Sequence, residues 1–276
     1  MKRILSLVLT LVFLLSLALV AGCGSTPQDA EKNAGKTETK KLVVGAIGEP
    51  HTKMLNMVKP KLAEQGIDMQ IKDFTDYAQL NPALNDGQIE ANFFQHIPYL
   101  EDYNKKTGSD LVWTVKTHTE PMRIYSKKID SLDKLAEGAT VGIPNDRSNS
   151  GRALMLLEAA GLIKLKPEAG VTATERDIVE NNKKLEIKMS DAAMLPRALE
   201  DLDICCINTN FALDAGLDPV KEAIFVEPGD SPFANVVVVR PEDRDKDTIK
   251  ALGAALQSPE IGKFLKDNYP SCVLAF

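Results

Sequence analysis

Hydrophobic and polar positions alternate along the chain between two patterns, one typical of buried strands and the other of amphipathic helices. Four apolar runs lack internal alternation, as do strands buried on both faces of a parallel sheet: residues 42–47, 140–143, 204–207 and 235–239. Helical spacing of apolar residues is found at 55–65, 152–160, 192–201 and 246–256. Gly66 and Gly161 follow the first two helical segments, where left-handed C-caps are expected. The alternation predicts an α/β fold.

The first 22 residues have the pattern of a secretory signal peptide. A basic start is followed by an apolar run from Ile4 to Val20 and by small residues directly before Cys23. This run is short for a membrane-spanning helix, which needs about 20 apolar residues. Small residues before a cysteine resemble a bacterial lipobox. We therefore predict a signal peptide over residues 1–22 and lipidation of Cys23, with an ordinary secreted protein as the alternative.

Residues 23–40 are small or polar and include no large apolar side chain. Such a segment cannot bury enough surface to offset the entropy of ordering, so we predict a flexible, lipidated tether. The folded part should begin near Leu42. The whole chain carries a formal net charge of −6, and this acidic balance argues against a nucleic acid partner, which needs clustered basic residues.

Polar residues follow three of the predicted strands at their carboxyl ends, which is where ligands bind in α/β folds. They are residues 48–51, 144–146 and 208–210. Hydrogen-bonding groups at all three strand ends predict a ligand site at this edge of the fold.

Arg152 lies at the start of a predicted helix, after a segment in which Ser148, Asn149 or Ser150 could serve as the N-cap. In the first turn the helix dipole disfavours a cation, and a bound anion would correct this mismatch. A forked guanidinium also matches the two oxygens of a carboxylate. We predict that Arg152 binds a carboxylate, but a surface arginine paired with Asp146 or another acid is an equal alternative.

Four aromatic residues lie close together between Phe93 and Tyr103. Such a cluster forms either part of the core or the wall of a pocket. Gln95, His96 and the phenols favour a pocket, because polar tips on apolar bodies can grip an apolar side chain and also form hydrogen bonds. A thioether packs well against aromatic edges, so a ligand of the size of methionine is physically reasonable.

Ordered motifs across nearly the whole mature chain resemble one family, the NlpA-type methionine-binding lipoproteins that serve methionine ABC importers. The motifs are Asp76-Tyr77, Ala91-Asn92, Phe94-Gln95-His96, Pro98-Tyr99-Leu100, His118, Pro121-Met122, residues 125–128, 143–146 and 149–154, Leu195-Pro196-Arg197, Ile207-Asn208, Ser231-Pro232 and Asn235. This resemblance implies the type II periplasmic-binding-protein fold, with two α/β lobes and a ligand cleft between them. Lobe 1 would comprise residues 41–121 plus 231–276 and lobe 2 residues 122–230, with hinges near 118–124 and 225–230.

The resemblance also implies a ligand and a set of binding residues. The side chain of L-methionine would lie among Tyr77, Phe94, His96 and Tyr99, its carboxylate would bind Arg152, and its backbone ends would bind Asn208 and Asn235. The implied protein is a monomer without a cofactor, anchored by lipid on the extracytoplasmic face of the cell membrane. Its implied partners are the permease and ATPase of an ABC importer.

Arg123 departs from the family pattern, which usually has glycine beside the crossover between the lobes. Its side chain could point to solvent, or it could enter the cleft and offer a second anion contact. In the second case another amino acid or a methionine-containing peptide would be preferred. These ligands are therefore kept as alternatives to methionine.

Two further classes of function are weighed and disfavoured. A metal-binding receptor could use His51, His96 and His118, but their wide spacing gives no local ligand pair. A thiol enzyme could use Cys205 or Cys206 with His96 as the base, but both thiols lie in a very apolar run. We predict neither metal ligands nor catalytic residues. A disulfide from Cys272 to either thiol and three reduced thiols are equally compatible with the sequence.

Overall fold

The computed structural model describes residues 39–229 and 231–276. The predicted signal peptide, the lipidation site Cys23 and nearly all of the predicted tether therefore lie outside the described residues, as does Asp230 in the second predicted hinge. None of the helices in the described part of the chain has the length and apolar character needed to span a bilayer.

Strands and helices alternate along these residues, as the hydrophobic pattern predicts. The strands are β1 (Lys40–Ala46), β2 (Ile67–Asp73), β3 (Ala91–His96), β4 (Val112–Thr119), β5 (Arg123–Tyr125), β6 (Thr140–Pro144), β7 (Lys164–Leu165), β8 (Ile178–Glu180), β9 (Glu186–Ser190), β10 (Ile204–Ile207), β11 (Ala223–Val226), β12 (Ala234–Val239) and β13 (Val273–Leu274). The helices are α1 (His51–Ala63), α2 (Leu80–Asn85), α3 (Ile97–Thr107), α4 (Arg147–Ala159), α5 (Leu195–Ala198), α6 (Thr209–Asp214), α7 (Asp247–Leu256) and α8 (Pro259–Asn268).

Two large sheets organise the structure. The first has the strand order β13-β4-β12-β3-β1-β2, and the second has the order β11-β5-β10-β6-β9. The chain leaves the first sheet after β4, builds the second sheet from β5 to β11, and returns to the first with β12. This arrangement confirms the predicted α/β fold with two lobes.

Two of the four buried runs are not paired as in a purely parallel sheet. β12 is antiparallel to both of its neighbours, β3 and β4, and β10 is parallel to β6 but antiparallel to β5. These antiparallel pairs are formed by β5 and β12, and each of these strands directly follows a passage of the chain from one sheet to the other. The burial itself is as predicted, because all residues of β10 and β12 are buried.

Two helices begin earlier than predicted, and one predicted helix is divided. α1 begins at His51 and α4 at Arg147, both earlier than predicted. A single helix was predicted over residues 192–201. The structure instead has a 3-10 turn, Ala192–Met194, followed by the short helix α5. Gly66 and Gly161 have φ of 74° and 72°, which confirms the left-handed endings.

Apolar packing forms the core of each sheet and a third cluster between them. One face of the first sheet packs against α1, α7 and α8, and α4 packs against the second sheet. The third cluster joins side chains from both sheets: Ile47, Tyr77, Leu80, Phe94, Tyr125, Ala192, Leu195, Leu199, Cys205, Ile207, Phe211 and Ala212. It lies where the predicted ligand site should be found.

Candidate ligand-binding site

The structure brings all seven predicted ligand-binding side chains to the lining of one cavity. Tyr77, Phe94, His96, Tyr99 and Asn235 come from elements of the first sheet, and Arg152 and Asn208 come from those of the second. The other lining residues are His51, Gln95, Glu120, Asn149, Thr209 and Asn210. The role of each residue in binding stays a prediction.

Aromatic rings form one part of the cavity wall. The Tyr77 ring lies 5.6 Å from Phe94, 5.9 Å from Tyr99 and 4.8 Å from Phe211, measured between ring centroids. Burial raises the pKa of the Tyr77 and Tyr99 phenols, so both are neutral. The Tyr77 hydroxyl donates a hydrogen bond to Asn210 Oδ1 and so connects the two sheets. The cluster is both core and pocket wall, and its ring edges suit an aliphatic or thioether side chain.

Arg152 is buried and already paired with an acid. Its Nε donates to Glu227 Oε1 at 2.9 Å, its Nη2 donates to Glu227 Oε2 at 2.6 Å, and Nη2 also donates to the Glu120 carbonyl at 2.7 Å. The guanidinium carbon lies 4.4 Å from the centroid of the Phe233 ring. Neither sequence alternative described this state, because Arg152 is buried, pairs with a glutamate whose side chain is 9% exposed, and also lines the cavity.

The structure contradicts the prediction that Arg152 lies in the first turn of its helix, where the helix dipole would disfavour a cation. Because α4 begins at Arg147, Arg152 lies beyond its first turn. Asp146, rather than Ser148, Asn149 or Ser150, is the N-cap, and it accepts a hydrogen bond from the Asn149 backbone N–H at 2.9 Å. An aspartate is a strong N-cap that also complements the helix dipole.

His96 is held as a neutral donor. Its Nδ1 accepts a hydrogen bond from the Tyr99 N–H at 3.1 Å, which makes it the N-cap of α3. The proton must therefore lie on Nε2, which donates to Asn149 Oδ1 at 3.1 Å. Burial, with a further effect from the charge of Arg152, lowers the pKa of His96 to about 3.

Asn149 and Asn208 form a buried amide network beside His96. Asn208 Nδ2 donates to Asn149 Oδ1 at 2.9 Å. Asn208 is the N-cap residue of α6, but its side chain does not cap that helix. Among the described residues, Asn208 Oδ1 and Asn210 Nδ2 are buried without a hydrogen-bond partner. One acceptor and one donor are thus directed to a region where a ligand could satisfy them.

The fold brings His51 and His118 together, contrary to the expectation from their spacing. His51 Nε2 lies 3.2 Å and His118 Nε2 lies 3.0 Å from Glu120 Oε1. Burial raises the pKa of Glu120, but the two histidines outweigh this effect and leave it below its usual value. The ligand atoms of these three residues lie close enough to hold a metal ion, but His118 Nε2 already hydrogen-bonds Glu120 Oε1 and His51 Nε2 already hydrogen-bonds Asn235. His51 Nε2 also lies 3.1 Å from Asn235 Oδ1.

Two acidic residues of the site were missed at the sequence level. Glu120 follows β4 and Glu227 follows β11, so both lie where the chain passes between the sheets. Neither falls in a periodic segment. The Glu227 backbone N–H donates to the Met122 carbonyl at 2.9 Å, which holds the two passages side by side. The sequence signal that pointed to these positions was that both acids fall within the predicted hinges, 118–124 and 225–230.

Arg123 takes neither of the two predicted orientations. The side chain is buried and is not among the residues that line the cavity. Its Nη1 donates to the Pro121 carbonyl at 2.6 Å and to Thr209 Oγ1 at 3.0 Å, and Nη2 donates to the Ser271 carbonyl at 3.3 Å. Arg123 therefore ties the passage between the sheets to α6 and to the C-terminal segment.

The thiols have the character of small buried hydrophobic groups. Cys205 and Cys206 are fully buried on β10, and Cys205, Cys206 and Cys272 are all free. The disulfide that the sequence left open is thus not formed. Burial raises the pKa of the Cys205 thiol to about 12 and raises that of Cys206 further.

Comparisons with known proteins agree with this geometry. A model of the NlpA lipoprotein family matches residues 42–275. The D-methionine-binding lipoprotein MetQ of Escherichia coli O157:H7 is 43% identical over 248 residues, 89% of this chain and 88% of the relative. That of Salmonella typhimurium is 42% identical over 249 residues, again 89% and 88%. A nutrient binding protein from Burkholderia cenocepacia, solved bound to methionine, is 44% identical with a TM-score of 0.82, covering 85% of this chain and 100% of that one. The chain belongs to the NlpA lipoprotein family.

Proposed function

We propose that this chain is the substrate-binding protein of an ABC importer and that it captures L-methionine between its two lobes. The observation that carries the proposal is the composition of the cavity, which combines aromatic rings, a buried arginine and two amide atoms, Asn208 Oδ1 and Asn210 Nδ2, that have no hydrogen-bond partner within the described residues. Two relatives named D-methionine-binding lipoproteins and a related protein solved bound to methionine support methionine as the ligand, and the choice of the L enantiomer is part of the proposal. A zwitterion with an apolar thioether side chain requires this combination of groups.

In the proposed complex, Tyr77, Phe94, His96 and Tyr99 surround the methionine side chain. Packing of the sulfur against ring edges contributes roughly 0.3–1.5 kcal/mol per contact. The four side chains are buried or nearly so, and the Tyr99 ring forms edge contacts with each of the other three. Burial of the apolar side chain in this part of the cavity supplies affinity that does not depend on charge.

The α-carboxylate binds at Arg152 and the amide of Asn235. Glu227 and the Glu120 carbonyl occupy Arg152 Nε and Nη2, and within the described residues Nη1 forms no hydrogen bond. Asn235 Oδ1 faces His51 Nε2 at 3.1 Å, so the other end of the same amide is a donor. Two donors of this kind fit two carboxylate oxygens. The α-ammonium is left to Asn208 Oδ1.

We place lobe 1 at residues 41–121 plus 231–276 and lobe 2 at residues 122–230, with hinges near 118–124 and 225–230. The distribution of strands between the two sheets supports these boundaries. A ligand that contacts both lobes stabilises the closed state over the open one, and an importer can then recognise the closed shape. No chemical change of the ligand is required.

The N-terminal pattern supports attachment to the extracytoplasmic face of the membrane through a lipid on Cys23, after removal of residues 1–22. The partners in this proposal are a permease and an ATPase, and the protein acts as a monomer without a cofactor or metal. Catalysis is disfavoured because the Cys205 and Cys206 thiols are buried and protonated and the relatives are named as binding proteins.

The test is a calorimetric titration of the unlipidated protein, made with Cys23→Ser, after removal of any copurified ligand. L-Methionine should bind one to one. Arg152→Ala should weaken binding by about 1.5–3 kcal/mol, the usual value of a charged hydrogen bond. Arg147→Ala is the matched control, because Arg147 lies on the same helix with 57% of its side chain exposed. Unchanged affinity in Arg152→Ala would overturn the proposed site, and tighter binding of D-methionine, another amino acid or a peptide would overturn the proposed ligand.

A further inference from the structure

The side-chain amide of Asn149 connects the two proposed lobes directly. Its Oδ1 accepts hydrogen bonds from His96 Nε2 of lobe 1 at 3.1 Å and from Asn208 Nδ2 of lobe 2 at 2.9 Å. Asn149 is 1% exposed, so both bonds are shielded from competing water. A single oxygen atom therefore holds one residue from each side of the cavity.

Asp146 determines which end of the Asn149 amide faces the cavity. Asn149 Nδ2 donates to Oδ1 and Oδ2 of Asp146 at 3.1 and 3.0 Å, and the Asn149 backbone N–H donates to the same carboxylate. If the amide were turned over, its oxygen would face a carboxylate that can only accept. Its NH₂ group would then face two donors, His96 Nε2–H and Asn208 Nδ2. Only the observed orientation satisfies all of these groups.

The opposite end of the network is fixed as well. His96 Nδ1 accepts from the Tyr99 backbone N–H at 3.1 Å, so Nε2 can only donate. Because Asn208 Nδ2 is bound to Asn149, the Asn208 Oδ1 atom must point elsewhere, and it is buried with no hydrogen-bond partner among the described residues. The orientation of the Asn208 amide thus depends on Asn149, which in turn depends on Asp146.

We propose that Asp146 and Asn149 are positioning residues that select ligands with a free α-ammonium group, by turning Asn208 Oδ1 toward the ligand as an acceptor. This inference rests on the proposed function, which places Asn208 at the ligand backbone. An ammonium carries three donors and no acceptor, so an amide oxygen binds it and an amide NH₂ repels it. The second bond of Asn149, to His96, links this orientation to closure of the lobes.

A purely structural role for the two residues makes a different prediction. Asp146 is the N-cap of α4, and loss of a cap would lower stability without changing the preference among ligands. The discriminating quantity is therefore the ratio of affinities for L-methionine and for its hydroxy acid analogue, in which a hydroxyl replaces the α-ammonium. A hydroxyl can donate or accept, so its binding does not require one orientation of the Asn208 amide.

The experiment measures both affinities by calorimetry for the wild-type protein, Asn149→Ala and Asp146→Asn. The second variant retains an N-cap side chain, so the helix is preserved. Both variants should reduce the affinity ratio by about tenfold or more, the value of one hydrogen bond to a charged group. Ser148→Ala is the matched control, because Ser148 donates to the same Asp146 carboxylate at 3.0 Å but bonds neither His96 nor Asn208. Its ratio should equal that of the wild type.

A ligand-free measurement separates this inference from the proposed function. NMR of the unliganded wild type should show a slowly exchanging Asn208 side-chain amide and a His96 proton on Nε2. Both signals should change in Asn149→Ala. If the wild type binds no methionine, the proposed function fails, and the positioning relationship is decided by these resonances alone. Unchanged affinity ratios, unchanged Asn208 resonances, or an equal effect of Ser148→Ala would overturn the inference.

Discussion

Arg152 and Glu227 form a buried bidentate ion pair, with Nε to Oε1 at 2.9 Å and Nη2 to Oε2 at 2.6 Å. The side chains are only 3% and 9% exposed. Glu227 Oε2 also accepts from the Met122 backbone N–H at 3.0 Å. The ion pair therefore fixes the arginine against the passage between the two sheets, and among the described residues it leaves Nη1 without a hydrogen bond and available to the proposed ligand carboxylate.

Glu227→Ala should destabilise the unliganded protein by about 3–5 kcal/mol, because it leaves the Arg152 charge buried and unpaired. A bound carboxylate can then replace the missing acid. L-Methionine should thus raise the melting temperature of the variant by more than it raises that of the wild type, as measured by calorimetry.

The control for this experiment is Glu242→Ala. Glu242 pairs with Arg240 at 3.5 Å but is 69% exposed, so its loss should change stability by no more than about 0.5 kcal/mol. A Glu227→Ala protein with nearly wild-type stability would contradict a structural role for the ion pair.

His96 should make the folding stability depend on pH. Burial lowers its pKa to about 3 in the folded state, compared with about 6.5 in an unfolded chain. The unfolded chain therefore binds the proton first, so the free energy of unfolding falls as the pH decreases from about 6.5 toward 3. The contribution is fully present above pH 6.5, with a slope of up to about 1.4 kcal/mol per pH unit below it.

Urea unfolding of the wild type and of His96→Gln between pH 7 and pH 4 measures this effect. The variant should lose less stability over the interval, because glutamine does not titrate. Part of the slope should remain, since burial also lowers the pKa of His51. Parallel curves for the two proteins would contradict the lowered pKa of His96.

The buried strands could be predicted from local patterns in the sequence, and the set of residues that meet at the cavity could be predicted from the resemblance to the NlpA family. The apolar runs at 204–207 and 235–239 became fully buried strands, and side chains that follow strand ends met at one cavity. The direction of β12 could not be predicted, because the chain returns from the second sheet and enters between β3 and β4. Hydrophobic periodicity carries no information about that path.

The polar partners of the site residues could not be predicted from local sequence patterns either. Arg152 and Glu227 are separated by 75 positions in the chain. His51 and His118 are also far apart in the sequence. The N-cap of α4 shows a similar limit on a smaller scale. The sequence favoured Ser148, Asn149 or Ser150 as the N-cap, and it did not reveal that Asp146 caps the helix and binds the Asn149 amide.

Arg123→Ala should lower the free energy of unfolding by at least about 2 kcal/mol. The substitution removes the hydrogen bonds that the charged guanidinium donates to the Pro121 and Ser271 carbonyls and to Thr209 Oγ1, and a hydrogen bond to a charged group contributes about 1.5–3 kcal/mol. The Pro121 carbonyl keeps one donor, Thr209 Oγ1, at 2.7 Å. Arg147→Ala provides the comparison, because its 3.7 Å contact with Asp102 is exposed and should contribute little. Equal stability of the two variants in urea would show that the Arg123 hydrogen bonds contribute nothing net.

The thiols should be inert in the native protein and all titratable after unfolding. Cys205, Cys206 and Cys272 are free, and burial raises the pKa of each thiol. Since the thiolate is the reactive form, an aromatic disulfide reagent at pH 8 should label Cys205 and Cys206 at least about 100-fold more slowly than a free thiol. With Cys23 replaced by serine, unfolding in guanidinium without reductant should release three thiols per chain. A yield of one thiol, or a melting temperature that falls when reductant is added, would instead indicate a disulfide.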